Sequence, residues 1–217
     1  VITLADGRGQ ILATQDDPTN VFTGLLAAPC DAALLTRLPS DDTYEVCVRD
    51  RRGQGGPGYH YRLSISPPRP GSELWVAPST LSIPLGGTAR AHVYVRRIDG
   101  FEGPIALRLD NPPLSISCTG ACVPSNATES VITLACSSST KRLPPAPFEL
   151  TLSGHATNGT DVLRGLATPA HRRHQASYYN DLVPDCVWMA KVDTEKQEPM
   201  LPITLPAQTA HIQAKAK

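Results

Sequence analysis

Apolar and polar side chains alternate with a period of two along much of this chain. Leu81, Ile83 and Leu85 form one row, and Ala89, Ala91, Val93 and Val95 form the next, interleaved with Arg90, His92, Tyr94 and Arg96. Ile105, Leu107 and Leu109 alternate with Ala106, Arg108 and Asp110. Ile132, Leu134 and Cys136 make a further row, followed by Phe148, Leu150 and Leu152 and then by residues 162–167. A period of two places every second side chain on one face of a strand. No 3.6-residue period persists. Short strands separated by turn signals such as Asp99-Gly100 predict a β-sandwich. Leu74-Trp75-Val76 opens it, with Trp75 expected as a core plug.

The first 67 residues also read as strands and turns. Val1-Ile2-Thr3-Leu4 and Ile11-Leu12-Ala13-Thr14 flank the turn Asp6-Gly7-Arg8-Gly9, which predicts a hairpin. Tyr44, Val46 and Val48 alternate with Glu45, Cys47 and Arg49. A glycine-rich loop over residues 51–58 leads to Tyr59, Tyr61, Leu63 and Ile65, expected as the partner strand. Residues 32–38 fit a strand or a helical turn equally well.

Breaks in the pattern suggest an organisation. Residues 1–67 form one unit, and the proline-rich stretch 68–72 is a stiff linker. Residues 73–168 form the main sandwich, and residues 169–198 read as a connector, possible as a short helix. In residues 199–217, Ile203-Thr204-Leu205-Pro206 followed by Thr209-Ala210-His211-Ile212 echoes Leu81-Ser82-Ile83-Pro84 followed by Thr88-Ala89-Arg90-Ala91. This is a weak repeat, expected as the opening strands of a further sandwich. Val1 starts inside a strand pattern, so the chain is expected to be a piece of a longer protein.

Composition narrows the function. The chain has 217 residues, and 20 basic residues balance 20 acidic ones. Proteins that grip phosphates carry a basic excess, so nucleic acid is not an expected partner. No run of about 18 apolar residues occurs, so no helical membrane span is expected. Aromatic residues make up only 5 %, which leaves little material for a stacking platform. Six cysteines in an all-β chain fit an oxidising compartment. The sequons Asn126-Ala-Thr128 and Asn158-Gly-Thr160 matter only in a eukaryotic secretory route.

Specific stretches carry a family resemblance. Residues 4–13 (Leu4-Ala5-Asp6-Gly7-Arg8-Gly9-Gln10-Ile11-Leu12-Ala13), the pair Asp16-Asp17 and the run from Asp42 to Asp50 resemble the C-terminal part of the bacterial pre-peptidase C-terminal (PPC) domain. The run leads through the glycine-rich turn to Tyr61-x-Leu63-x-Ile65, which is the most specific stretch. The pattern Pro78-x-x-Leu81-x-Ile83-Pro84-x-Gly86-Gly87-x-Ala89, then Val93-x-Val95-x-Arg97-x-x-Gly100-Phe101-x-Gly103-Pro104-Ile105, looks like the immunoglobulin-like modules that follow such domains in secreted planctomycete-type proteins. The resemblance implies an all-β fold of tandem sandwiches: a partial PPC-type jelly-roll-like domain, an Ig-like sandwich, a short connector and a truncated further sandwich. It implies a secreted or cell-envelope location and a non-catalytic appendage of a hydrolase, and some relatives bind calcium. The family's first strands are missing, and Cys30 and Cys47 depart from its pattern.

Candidate chemistry is sparse. There is no Gly-x-Ser-x-Gly elbow and no Cys–His pair with active-site flanks, so no catalytic residue is nominated. Asp16, Asp17 and Asn20 share a loop, and Asp6 sits on the adjacent turn. Together they offer hard oxygens to calcium, although Asp and Asn also simply initiate turns. Cys118, Cys122 and Cys136 could hold zinc with His155, but a disulfide among them is the better reading. Cys30 and Cys47 make a second candidate pair, and Cys186 is left over. The leading expectation is a non-enzymatic extracellular accessory or adhesion segment that spaces, anchors or targets a neighbouring domain. Its partners would be the domains beside it, or a polysaccharide or extracellular protein. Two alternatives remain: a calcium-dependent carbohydrate- or protein-binding module, and a piece of a secreted hydrolase. A pocket joining His171, His174 and Asp181 to a nucleophile would mark the hydrolase.

Overall fold

The computed structural model describes residues 1–16, 32–139, 143–175 and 179–194, with backbone alone for residues 172–175 and 179–181. These residues form fourteen strands and no helix, so the fold is all-β as the period-two pattern predicts. The second stretch of the weak repeat and the rest of residues 199–217 lie outside the described residues, as does Cys30.

The first strands, β1 (Ile2–Asp6), β2 (Ile11–Gln15) and β3 (Tyr44–Val48), form a three-stranded sheet in the order β2-β1-β3. The expected hairpin is present, and the Asp6 carboxylate closes its turn by accepting the amides of Arg8 at 3.0 Å and Gln10 at 2.8 Å. Only Leu4 is buried in this sheet. The partner strand expected at residues 59–65 does not form. Tyr59, Tyr61, Leu63 and Ile65 are 55, 76, 41 and 78 % exposed. Alternation specifies which side chains share a face, but a strand also needs a neighbouring edge and a cover. Strand β3 pairs with β1 along one edge only, so an edge is open among the described residues, yet residues 59–65 are exposed at every position, with no dry face to hold a strand there. Residues 32–38 likewise hold neither strand nor helix.

The remaining strands build a two-layer sandwich. One layer contains β4 (Gly71–Ala77), β6 (Thr88–Ile98), β10 (Glu129–Cys136) and β8 (Ile116–Thr119). The other contains β7 (Ile105–Asp110) with the two-residue β9 (Cys122–Val123), β11 (Phe148–Asn158), β14 (Trp188–Asp193) and β5 (Thr80–Pro84). Register aligns the inward rows: Val76 lies opposite Val93, Leu74 opposite Val95 and Ala91 opposite Ile132. Val76, Val93, Val95, Ile132 and Leu134 are fully buried, and they meet Ile105, Leu107, Leu150, Leu152 and Ile83 in one core. Each such side chain contributes about 1.5–3 kcal/mol relative to leaving it in water. The layers touch closely at Gly154, where an added Cβ would stand 2.3 Å from Leu74 Cδ1 and 3.0 Å from Ile105 Cγ2.

Strand β12 (Asp161–Gln175) is the corner of the sandwich. Its first part pairs with β11, residues 167–169 pair in parallel with β4, and residues 170–175 pair with β13 (Tyr179–Pro184). The stretch expected as a connector or short helix is therefore strand. Strand β14 runs parallel to β5 and antiparallel to β11, and it delivers Trp188, 1 % exposed, into the core. Trp75, expected there, is half-buried on the outer face beneath Arg96, whose guanidinium carbon lies 5.9 Å from the ring centroid. The parity of β4 explains the exchange. Leu74 and Val76 take the inward positions, so Trp75 must point outward, opposite Tyr94. Tyr94 is itself buried in a second small core with Ala77, Ala170 and Leu182, because the β12–β13 hairpin packs there.

Candidate functional site

The outer face of β7, β11 and β12 carries the polar constellation of most chemical interest. On β11, Glu149, Thr151, Ser153 and His155 fall on the face opposite Leu150 and Leu152. Antiparallel register sets Asp110 beside Thr151, Arg108 beside Ser153 and Arg164 beside His155. Together these strands shape a cleft of about 670 Å³ lined by Arg108, Asp110, Asn111, Glu149, Thr151 and Arg164. Asn111 has a φ of 46°, a left-handed conformation that asparagine tolerates, so the chain turns sharply at the cleft's edge.

Beneath the cleft, Ser153 Oγ lies 3.0 Å from Asp110 Oδ1, 3.1 Å from His155 Nε2 and 3.4 Å from the Arg108 carbonyl oxygen. A hydroxyl has one proton. When it donates to the Asp110 carboxylate, His155 must be the Nε2–H tautomer and donate to the serine. This wiring differs from a catalytic triad, in which the acid orients the histidine and leaves the serine free to attack. Here the acid holds the serine, and Ser153 is 0 % exposed. The arrangement orients Asp110 instead: Oδ1 is held inward, and Oδ2 lies 4.0 Å from Arg164 Nη2.

Of the residues nominated from sequence, the calcium set and the set of His171, His174 and Asp181 lie only partly among the described residues. Asp6 is engaged in its turn, Asp16 Oδ2 lies 3.5 Å from Arg51 Nε, and Asp17 and Asn20 are outside the described residues. Among the described residues, no group of three or more His, Cys, Asp or Glu side chains is placed to hold a metal. His155 is turned to Ser153, away from a zinc-type set with cysteine. His171 Nδ1 lies 3.9 Å from Asp185 Oδ2, and the side chains of His174 and Asp181 are outside the described set.

Cys47, Cys118, Cys122, Cys136 and Cys186 are all free thiols, so the expected disulfides do not form among the described cysteines. Register supplies the reason. Cys118 lies opposite Leu134, and Cys136 opposite Ile116. The two thiols are diagonal neighbours, about 7–8 Å apart at the backbone, beyond the usual reach of a bridge. Cys122 belongs to β9, opposite Ala106 in the other layer.

Three further charged arrangements on β6 serve the fold. Arg97 donates to the carbonyls of Gly103 at 2.7 Å, Pro124 at 2.9 Å and Ala127 at 3.2 Å, and it stacks 5.4 Å above the Phe101 ring. Burial pulls its pKa down, opposed by nearby Glu102. This explains the stretch Arg97-x-x-Gly100-Phe101-x-Gly103: one guanidinium ties the 99–104 turn to the 124–127 turn. On the other face of the same strand, β6, His92 Nδ1 lies 2.5 Å from Glu129 Oε1, and Arg96 pairs with Glu73 at 2.5 Å.

Fold and site together define an all-β sandwich with a polar cleft on one outer face. No family model matches the chain, and no curated protein matches it. Among solved structures, it is similar to domains 4 and 5 of the S-layer protein SbsC, at 14 % identity and a TM-score of 0.28, covering 46 % of this chain and 52 % of that one. It is also similar to a structure of domains 1–6 of surface layer protein SbsC, at 14 % identity and a TM-score of 0.28, covering 57 % of this chain and 18 % of that one. The chain thus spans about half the length of the first and under a fifth of the second. At these values the likeness carries no argument, and the fold class rests on the strands themselves. No helix among the described residues is long and apolar enough to cross a membrane.

Proposed function

We propose that this chain is a non-catalytic accessory segment of a secreted or cell-envelope protein, which spaces, anchors or targets a neighbouring domain. One observation carries the reading. The described site where a serine, a histidine and an aspartate meet is sealed, with Ser153 0 % exposed and hydrogen-bonded to the acid. A nucleophile must reach its substrate as well as be activated by a base, and Ser153, although His155 lies beside it, is closed off from any substrate. The assignment of residues 1–67 to a PPC-type domain belongs to this proposal, as does that of residues 73–168 to an Ig-like module, whose sandwich also takes in β14. This assignment is supported by the stretch from Pro78 to Ile105, by the hairpin at Asp6 and by the two-layer packing, while the strand implied by Tyr61-x-Leu63-x-Ile65 is absent.

The test is turnover. The purified chain is incubated with activated ester, peptide and glycoside substrates beside Ser153→Ala. No hydrolysis that depends on Ser153 is expected. Turnover lost in that variant, with its fold retained, would falsify the proposal.

A further inference from the structure

We propose that the cleft between β7, β11 and β12 is a binding site for a neutral, hydroxyl-rich ligand, namely saccharide units of a polysaccharide. This deepens the targeting role proposed above and rests on it. The argument is electrostatic. Two guanidiniums, Arg108 and Arg164, and two carboxylates, Asp110 and Glu149, line the same space, so its formal charge is zero. An anion entering it meets Asp110 and Glu149, and a cation meets Arg108 and Arg164. A full charge of either sign therefore gains little. A sugar hydroxyl both donates and accepts, and it can use carboxylate and guanidinium side by side.

Three details favour a built site over a solvated patch. Asp110 is pre-oriented by the buried Ser153 and the half-buried His155 behind it, so one carboxylate oxygen is held inward while the other faces the cleft wall at Arg164. Such support from beneath is what a recognition group needs. The Arg108 guanidinium and the Glu149 carboxylate make no hydrogen bond or ion pair with the described residues, which leaves both to a ligand. Leu166, opposite Ser153 in register and 63 % exposed, borders the polar groups with apolar surface for the C–H face of a sugar ring.

The experiment is native affinity electrophoresis of the full chain in gels containing a soluble β-glucan, an arabinoxylan, a galactomannan or acidic polygalacturonate. Migration is expected to slow in at least one neutral polymer. The apparent affinity is expected to fall about fivefold or more in Arg108→Ala and in Glu149→Ala, each of which removes a charged hydrogen-bonding partner. It should change by less than about twofold between about 50 and 500 mM salt, since a neutral ligand is not screened. Both side chains are exposed, so a matching thermal midpoint serves as the folding control. The proposal fails if no neutral polymer slows the chain, or if retardation is unchanged in both variants. It also fails if polygalacturonate binds best and loses its grip with salt. None of these outcomes reports on turnover, so a failure here stays distinct from a failure of the non-catalytic reading.

Discussion

The indole of Trp188 donates its Nε1–H to the carbonyl oxygen of Pro78 at 3.1 Å, which joins strand β14 to the β4–β5 connection 110 positions away in the chain. Around this bond the start of β14 is stitched to the β4–β5 corner. The Met189 amide donates to the Ser79 carbonyl at 2.9 Å, and Trp188 fills the core at 1 % exposure. Trp188→Ala removes the largest fully buried side chain of the sandwich, and a loss of about 3–5 kcal/mol is expected. Trp188→Phe keeps most of the apolar volume but strands the Pro78 carbonyl, at about 1–3 kcal/mol. Urea denaturation of both variants checks the order. Equal stabilities for Trp188→Phe and the parent would show that the hydrogen bond contributes nothing.

Arg97 ties two turns together through three carbonyl oxygens, and lysine cannot reproduce that fork. Arg97→Ala is expected to cost about 2–3 kcal/mol, with Arg97→Lys recovering less than half of it. Amide hydrogen exchange should quicken first at Asn126 and Val95, whose amides bond to Glu102 and Thr128 in the tied region. Uniform acceleration across the sandwich would argue against a local clamp.

Asp185 gives the fold an acid-sensitive joint. Its carboxylate accepts the Cys186 amide and a hydrogen bond from Ser79, and His171 stands nearby, so its pKa is held below the ordinary aspartate value. A carboxyl depressed in the folded state binds protons more readily when unfolded. Its stabilising contribution is therefore present above the unfolded value of about 3.9 and is lost as pH falls through the lower folded value. Asp185→Asn should be less stable than the parent at pH 6, and the gap should close on acidification below about pH 4. Denaturation midpoints at both pH values measure it. A gap independent of pH would assign the effect to packing.

The strands of the main sandwich could be read directly because each has one dry face, so alternation and burial coincide. Val93, Ile105, Ile132 and Leu152 were all placed by period alone. Three features escaped for a shared reason: parity and register come from neighbours. Trp75 and Trp188 look alike in sequence, and only the inward parity of Leu74 and Val76 sends Trp75 outside. Residues 59–65 alternate as well as any strand, but alternation does not supply a partner layer, and both parities stay exposed. The cleft was half visible, since Ser153 and His155 at positions i and i+2 must share a face. Asp110 joins them only through the β7–β11 register, and no local pattern encodes that pairing.

Register also decides the cysteines, and it can be checked by chemistry. Cys122 and Cys186 are exposed, Cys118 is half-buried with its thiol pKa pushed up by burial, and Cys136 is 3 % exposed in the core. Because the thiolate is the reacting form, iodoacetamide at neutral pH should label Cys122 and Cys186 first and Cys118 more slowly. Cys136 should react only when the sandwich opens. Mass-spectrometric mapping of the native chain, then of the chain in denaturant, gives the order. A Cys118–Cys136 bridge in the non-reduced map would require β8 to move against β10 from the register that sets Cys118 opposite Leu134. The diagonal would then have to close to the 4.4–6.8 Å that a disulfide spans between Cα atoms.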